Sequence, residues 1–313
     1  MFLGCGDSLY DMFLSASEAD KLQVAVNGVA GGSPMNVAVG MARLSLKSAY
    51  FTKLSGDVFG QGLSQYLAQN SVDTSLCLPT ERNTTLAFVN KQPDGSAKYS
   101  FYIDGTADVS ITESELPAQL PDDIRILHFG SYSTAVGDVS DTLKALAKRE
   151  KNKRFISYDP NLRLAIEPDL DKWRTSFNDF ASCATLIKAS DEDIEALMGK
   201  NSEERFVADC FNHGAGIVYV TRGAKGASAY TADSKVFTAN SAPVKVVDTV
   251  GAGDTFQAAV VYWMATNGHV GSDGSITGSI DAEGSLNFAL RAAAITCSRF
   301  GADLPTLADL SLY

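Results

Sequence analysis

Val246-Val247-Asp248-Thr249-Val250-Gly251-Ala252-Gly253-Asp254-Thr255-Phe256 runs directly into the apolar stretch Gln257-Ala258-Ala259-Val260-Val261. Its grammar is apolar strand, glycine turn, apolar helix. A helix N-terminus presents unpaired N–H groups and a partial positive charge, and glycines let a phosphate approach that backbone closely. The segment therefore predicts an anion site with the Asp254 carboxylate in its first turn. The plainer alternative is an ordinary strand-to-helix turn that Asp254 merely caps. Two other glycine-loop readings fail. A P-loop ends in Gly-Lys-Ser/Thr, a tripeptide the chain lacks, and a dinucleotide fingerprint needs glycine or alanine where Phe256 stands and a place after the first strand.

Outward from this segment, short β-rich runs alternate with helical ones, the pattern of a parallel sheet covered by helices. Strands are expected at 49–53, 124–129, 155–158, 186–189, 217–220 and 244–247, and helices at 60–69, 136–149, 191–198, 203–211, 251–265 and 282–299. That is an α/β chain, a three-layer α/β/α sandwich with a mainly parallel central sheet. Residues 84–89 and 98–103 break the alternation and are joined by Lys91-Gln92-Pro93-Asp94-Gly95, whose Pro-Asp-Gly supplies turn chemistry. They form either an edge hairpin or a flap over a cleft. The stretch 267–279, rich in Gly and Ser, is expected to be a loop. With no repeat and no linker, one domain over 1–313 is expected.

The 313 residues are 45% hydrophobic and 20% charged, enough for one sizeable core. Acidic residues exceed basic ones by 37 to 26, for a net charge of -11, with no Lys/Arg cluster to neutralise a row of phosphates, so nucleic acid is excluded as a partner. The same field repels an anionic nucleotide, which must then be held by local N–H groups or a cation. Five scattered cysteines contain no C-x-x-C pair and suit reduced core thiols. No run of about 20 apolar residues occurs, so no membrane span is expected. The first residues show no basic, apolar leader, and a cytoplasmic placement follows as the expectation.

The glycine segment resembles the C-terminal signature of PfkB-type carbohydrate kinases, the ribokinase superfamily, and Gly31-Gly32-Ser33-Pro34-Met35-Asn36-Val37-Ala38 resembles their N-terminal one. Gly6-Asp7 with Asp11, Gly56-Asp57-Val58-Phe59-Gly60, Asp159-Pro160-Asn161-Leu162-Arg163 and Val220-Thr221-Arg222-Gly223-Ala224-Lys225-Gly226 extend the likeness over the chain. The resemblance implies a ribokinase-like fold with a small β-sheet lid at about 11–30 and 84–108. It implies transfer of the γ-phosphoryl of ATP to a primary hydroxyl of a small sugar, most like a fructokinase. Other kinases of the superfamily, for 2-keto-3-deoxygluconate, ribose or a nucleoside, are alternatives, and a non-catalytic sugar- or nucleotide-binding protein stands behind them.

By the same resemblance Asp254 is the base that accepts the hydroxyl proton, and the N–H groups of Gly251, Ala252 and Gly253 stabilise the transferring phosphoryl. Asp11, Gly31, Gly32, Asn36, Phe101 and Arg163 fall at sugar-binding positions. Ser190, Thr221, Gly223, Lys225, Gly226 and Leu290 fall at nucleotide-binding ones. Asp193 stands where a carboxylate reaches Mg²⁺ through water, and Asp248, Val250, Thr296, Arg299 and Gly301 where a monovalent cation, K⁺, is bound. A homodimer through the lid is a further implication. Three places depart from the family pattern, one of them Leu290, which stands where relatives carry Asn or His beside the adenine. Ser190 and Asp193 replace the usual Asn-x-x-Glu, and Phe101-Tyr102-Ile103 replaces the Phe-Tyr-Arg of fructokinases.

Overall fold

The computed structural model describes residues 1–15, 25–91 and 97–312. Nine strands form the central sheet: β1 (Phe2–Cys5), β4 (Ser48–Phe51), β6 (Val72–Asp73), β10 (Ile126–Gly130), β11 (Phe155–Asp159), β12 (Leu186–Ser190), β13 (Ile217–Thr221), β14 (Ala227–Thr231) and β15 (Val236–Ala239). Their order is β15-β14-β13-β12-β11-β10-β1-β4-β6. All neighbours run parallel except at the β13-β14-β15 edge, which is antiparallel. The fold is thus the α/β class expected, with a mainly parallel sheet.

Strand alternation sorts side chains into two cores, as the period of two requires. Leu3, Leu127, Phe129, Ile156, Tyr158, Ile187 and Val218 face one way, toward helices α3 (Gly137–Glu150), α4 (Leu170–Ala181), α5 (Asp191–Met198) and α6 (Glu203–Asn212). Phe2, Ile126, Phe155, Leu186, Ile217 and Tyr219 face the other, toward α1 (Ser33–Arg43), α2 (Val58–Gln69), α7 (Ala252–Thr266) and α8 (Ala282–Cys297). A short α9 (Leu307–Ser311) follows. The helix pattern breaks where its chemistry says it should: Asp57 caps α2 by accepting from Gly60 N–H at 2.7 Å, and a Ser190/Asp193 capping box opens α5.

A second sheet of four strands stands apart, ordered β3-β2-β8-β9: β2 (Leu9–Ser15), β3 (Ala25–Gly31), β8 (Thr85–Lys91) and β9 (Ala97–Tyr102). A two-stranded ribbon, β5 (Lys53–Ser55) with β7 (Leu78–Thr80), lies beside it. The expected 84–89 and 98–103 strands are β8 and β9, paired antiparallel. The turn chemistry assigned to Pro93, Asp94 and Gly95 lies outside the described residues, as does part of the 11–30 lid segment.

One expected strand is corrected. Residues 244–247 form no strand; Val246 and Val247 are 59% and 57% exposed, and Val247 N–H donates to the Cys297 carbonyl at the end of α8. The sheet already ends at β15, so these valines have no ladder to join.

Candidate active site

Gly251 holds the turn before α7 at φ 77, and a Cβ there would lie 2.7 Å from the Ala302 Cβ, so both the left-handed backbone and the packing demand glycine. Ala252 N–H turns back to the Thr249 carbonyl at 3.3 Å. Among the described residues no backbone acceptor meets the N–H groups of Gly251, Gly253 and Asp254. The free donors of this turn thus include Asp254 itself and leave out Ala252, which the sequence reading had counted.

Asp254, 7% exposed, is oriented by α1: Oδ1 accepts from Ser33 Oγ at 2.7 Å and Oδ2 from Asn36 Nδ2 at 2.8 Å. Asn36 therefore spends its amide N–H on the carboxylate, and its buried Oδ1 has no protein partner and is left to accept from a ligand. Ser33 was not singled out from the sequence; its place before Pro34 in a helix-opening turn is the signal that could have marked it. Asn161 donates to Ser33 Oγ at 2.7 Å and accepts from Arg163 Nη1 at 2.6 Å, so Arg163 joins Asp254 through two side chains.

On the four-stranded sheet, Asp11, Ala87 and Phe101 share one cross-strand row, and Tyr99 stacks on Phe101 at 5.8 Å. Burial raises the Asp11 carboxyl to about 6 against the pull of Arg163. Gly31 and Gly32 make room for neighbouring carboxyl groups and backbone: a Cβ on Gly31 would lie 2.7 Å from Asp11 Oδ2, and one on Gly32, at φ 121, 2.4 Å from the Asp7 carbonyl. Asp7 itself is buried, with Oδ1 unpartnered, and its carboxyl is pushed up to about 7, first by desolvation and then by Asp108. Ile103 packs on the first core.

Ser190 and Thr221 end adjacent parallel strands β12 and β13 and pair in register. Gly223–Lys225 forms a 3-10 turn just beyond, and a Cβ on Gly226, at φ 88, would lie 2.0 Å from the Ala239 carbonyl oxygen. Leu290 lies on α8, 7% exposed. Asp193 does not face this cleft with free oxygens: Oδ2 accepts from Ser190 N–H and Oγ, and Oδ1 from Leu162 N–H at 2.9 Å. The cation segment does assemble, since Asp248 accepts from Thr249, Val250 and Gly301 N–H, and Thr255 Oγ1 meets Thr296 Oγ1 at 2.8 Å. The Arg299 guanidinium pairs with Asp303 and Asp309, so only its backbone carbonyl is available to a cation there.

Below the glycine turn, Lys188 Nζ donates to Asp159 Oδ2 at 2.6 Å, both side chains being buried. Neither had been assigned a role, because the pair forms only across the β11–β12 register.

A buried carboxylate fixed beside a turn of free N–H groups, at the C-terminal ends of parallel strands, defines a group-transfer site of the kinase type. The pfkB family carbohydrate kinase model matches residues 5–309, and the chain belongs to that family; it is a kinase. It is 40% identical over 261 residues to a fructokinase of Rhizobium leguminosarum bv. trifolii, covering 83% of this chain and 78% of that one. A probable fructokinase-5 of Arabidopsis thaliana is 35% identical over 288 residues, 89% of this chain and 86% of that. The crystal structure of a Vibrio cholerae O395 fructokinase with fructose, ADP and calcium superposes with TM-score 0.84 at 26% identity, over 100% of this chain and 98% of that one. A Pyrococcus horikoshii sugar kinase in complex with ATP gives 0.83 at 26%, over 100% and 98%.

Proposed function

We propose that this chain, as one kinase domain over 1–313 with its lid elements at about 11–30 and 84–108, transfers the γ-phosphoryl of ATP to a primary hydroxyl of fructose. The observation that carries the reading is the Asp254 carboxylate, held on both oxygens by α1 and set at the mouth of the free N–H turn. Asp254 takes the proton of the attacking hydroxyl. The N–H groups of Gly251, Gly253 and Asp254 receive the charge of the transferring group. Asp11, Asn36 Oδ1 and Arg163 orient the sugar from three sides, and Phe101 covers it from the lid. The relatives named fructokinase, together with the fructose-bound and ADP-bound neighbour, support the substrate pair.

ATP needs a divalent cation to neutralise its phosphates. The residues present do not form a direct protein site for it, since among the described residues no three His, Cys, Asp or Glu groups converge, and Asp193, which already accepts from Ser190 and Leu162, is left to reach it through water. Mg²⁺ is therefore assigned to the nucleotide and its waters. K⁺ is assigned to the carbonyls of the Asp248–Gly301 assembly. No described helix is long and apolar enough to cross a membrane, and a cytoplasmic setting is proposed. The outer lid face exposes Leu14, Val26 and Tyr102, which a second copy of this chain would cover in a homodimer.

The test is a panel of sugars with ATP·Mg. Fructose is expected to release ADP, and Asp254→Asn to lower kcat by about 10³-fold or more. Turnover retained in that variant refutes the assignment of the base.

A further inference from the structure

Lys188 and Asp159 are a costly arrangement unless they serve something. Two charges taken out of water lose more hydration than one contact returns, and the deficit closes only when their remaining donors and acceptors find partners. Here the side chains are 4% and 1% exposed, an ammonium with three donors makes one hydrogen bond, and Asp159 Oδ1 makes none. The unmet donors have a direction. Strand alternation puts Lys188 on the α7 side with Leu186, and a Cβ added to Gly253 would lie 3.3 Å from Nζ. The ammonium thus rests against the first turn of α7, beside the free N–H groups of Gly253 and Asp254.

The surroundings leave it single-partnered. His128 and Ser157 occupy the same face, and their hydrogen bond at 3.1 Å joins them to each other rather than to Asp159. Burial and the nearby Lys188 hold the His128 imidazole down to about 3, so it is neutral and does not compete for the carboxylate. In a chain of net charge -11, a cation fixed here offers a phosphate what the overall field withholds.

We propose that Lys188 is a catalytic residue of the phosphoryl transfer, its ammonium meeting the γ-phosphoryl oxygens where they cross the N-terminal turn of α7, and that Asp159 is the residue that positions it. This rests on the kinase reading above. The compact ammonium suits the space under Gly253, where any side chain would crowd it. Its two free donors are satisfied when the phosphoryl arrives, so the interaction strengthens along the reaction rather than in the empty enzyme.

The experiment compares Lys188→Met, Lys188→Arg, Asp159→Asn and the Lys188→Met/Asp159→Asn double variant in the full chain, with Asp254→Asn alongside. Lys188→Met is expected to lower kcat about 10²–10³-fold while the fructose KM moves less than about threefold. Lys188→Arg recovers part of the loss, limited by its bulkier fork. The double variant falls no further than Lys188→Met, because Asp159 acts through the lysine. In calorimetry, Lys188→Met still binds ADP·Mg but loses affinity for ADP·Mg with aluminium fluoride and fructose. Wild-type kcat in Lys188→Met beside an inactive Asp254→Asn overturns the role of Lys188 alone. Equal loss of both ADP complexes reduces the pair to a structural one and also overturns it. A wild type that turns over no sugar overturns the reading beneath.

Discussion

Replacing Asp7 by Asn should make the protein more stable at pH 8 than at pH 5 relative to wild type, and the size of the effect follows from burial. The Asp7 carboxyl titrates near 7 in the fold against an ordinary 3.8, because desolvation and Asp108 penalise its charge. Between those values the folded chain holds a proton that the unfolded chain has lost. Unfolding then releases a proton, so stability falls as pH rises through the window, by up to about 1.4 kcal/mol per unit. Full expression above pH 7 amounts to roughly 4 kcal/mol, and relaxation around the site brings the expected value to about 2–4 kcal/mol. Asparagine keeps an oxygen for Ser33 N–H, now 3.3 Å from Asp7 Oδ2, and carries no charge. Urea unfolding of both proteins at pH 5 and pH 8 samples the part of the window between 5 and 7, about two units, and so is expected to show a variant-minus-wild-type change of about 1.5–2.7 kcal/mol. A variant-minus-wild-type stability that is the same at both pH values, within about 0.5 kcal/mol, refutes the argument from desolvation.

Two further outcomes are expected. Gly62→Ala gains about 1 kcal/mol of helix propensity but puts a methyl 2.3 Å from Tyr10 Oη, so the lid strand shifts and the fructose KM rises; Tyr10→Phe in the same chain should restore it, as steady-state kinetics will show. Asp193→Ala removes the α5 capping box and the anchor of Leu162 N–H, costing about 1–3 kcal/mol of stability in denaturant titration, and it lowers kcat by loosening Asn161 and Arg163.

The central sheet was legible because β11, β12 and β13 are short apolar runs, buried on both faces, whose inner residues pack on two cores. The same signal misled at 244–247, where three valines sit in an exposed segment after the sheet has closed. Strand β1 escaped notice because it is four residues long, and α4 because its buried Trp173, Phe177 and Phe180 are set among polar residues. In the site, Asp254, Asn36 and the glycines stand in contiguous strings and could be read. Ser33's bond to Asp254 spans 221 positions, and the Lys188–Asp159 pair depends on which strands lie side by side. Such relations exist only once the register is set. What the string Ser190-Asp191-Glu192-Asp193 did not show is that Asp193 also caps its own helix and holds Leu162 N–H, since both bonds depend on the folded backbone.

The lid sheet is closed by a parallel seam, β2 against β8, in which Asp11 lies opposite Ala87, 76 positions later. Parallel strands cannot be made by a local turn, so this seam forms only after the intervening α1, β4, α2 and β6 have docked. Contacts of that sequence separation are slow to form. With β3 mostly exposed and this one parallel seam joining its two halves, the four-stranded sheet is expected to open before the central sheet when amide exchange is followed.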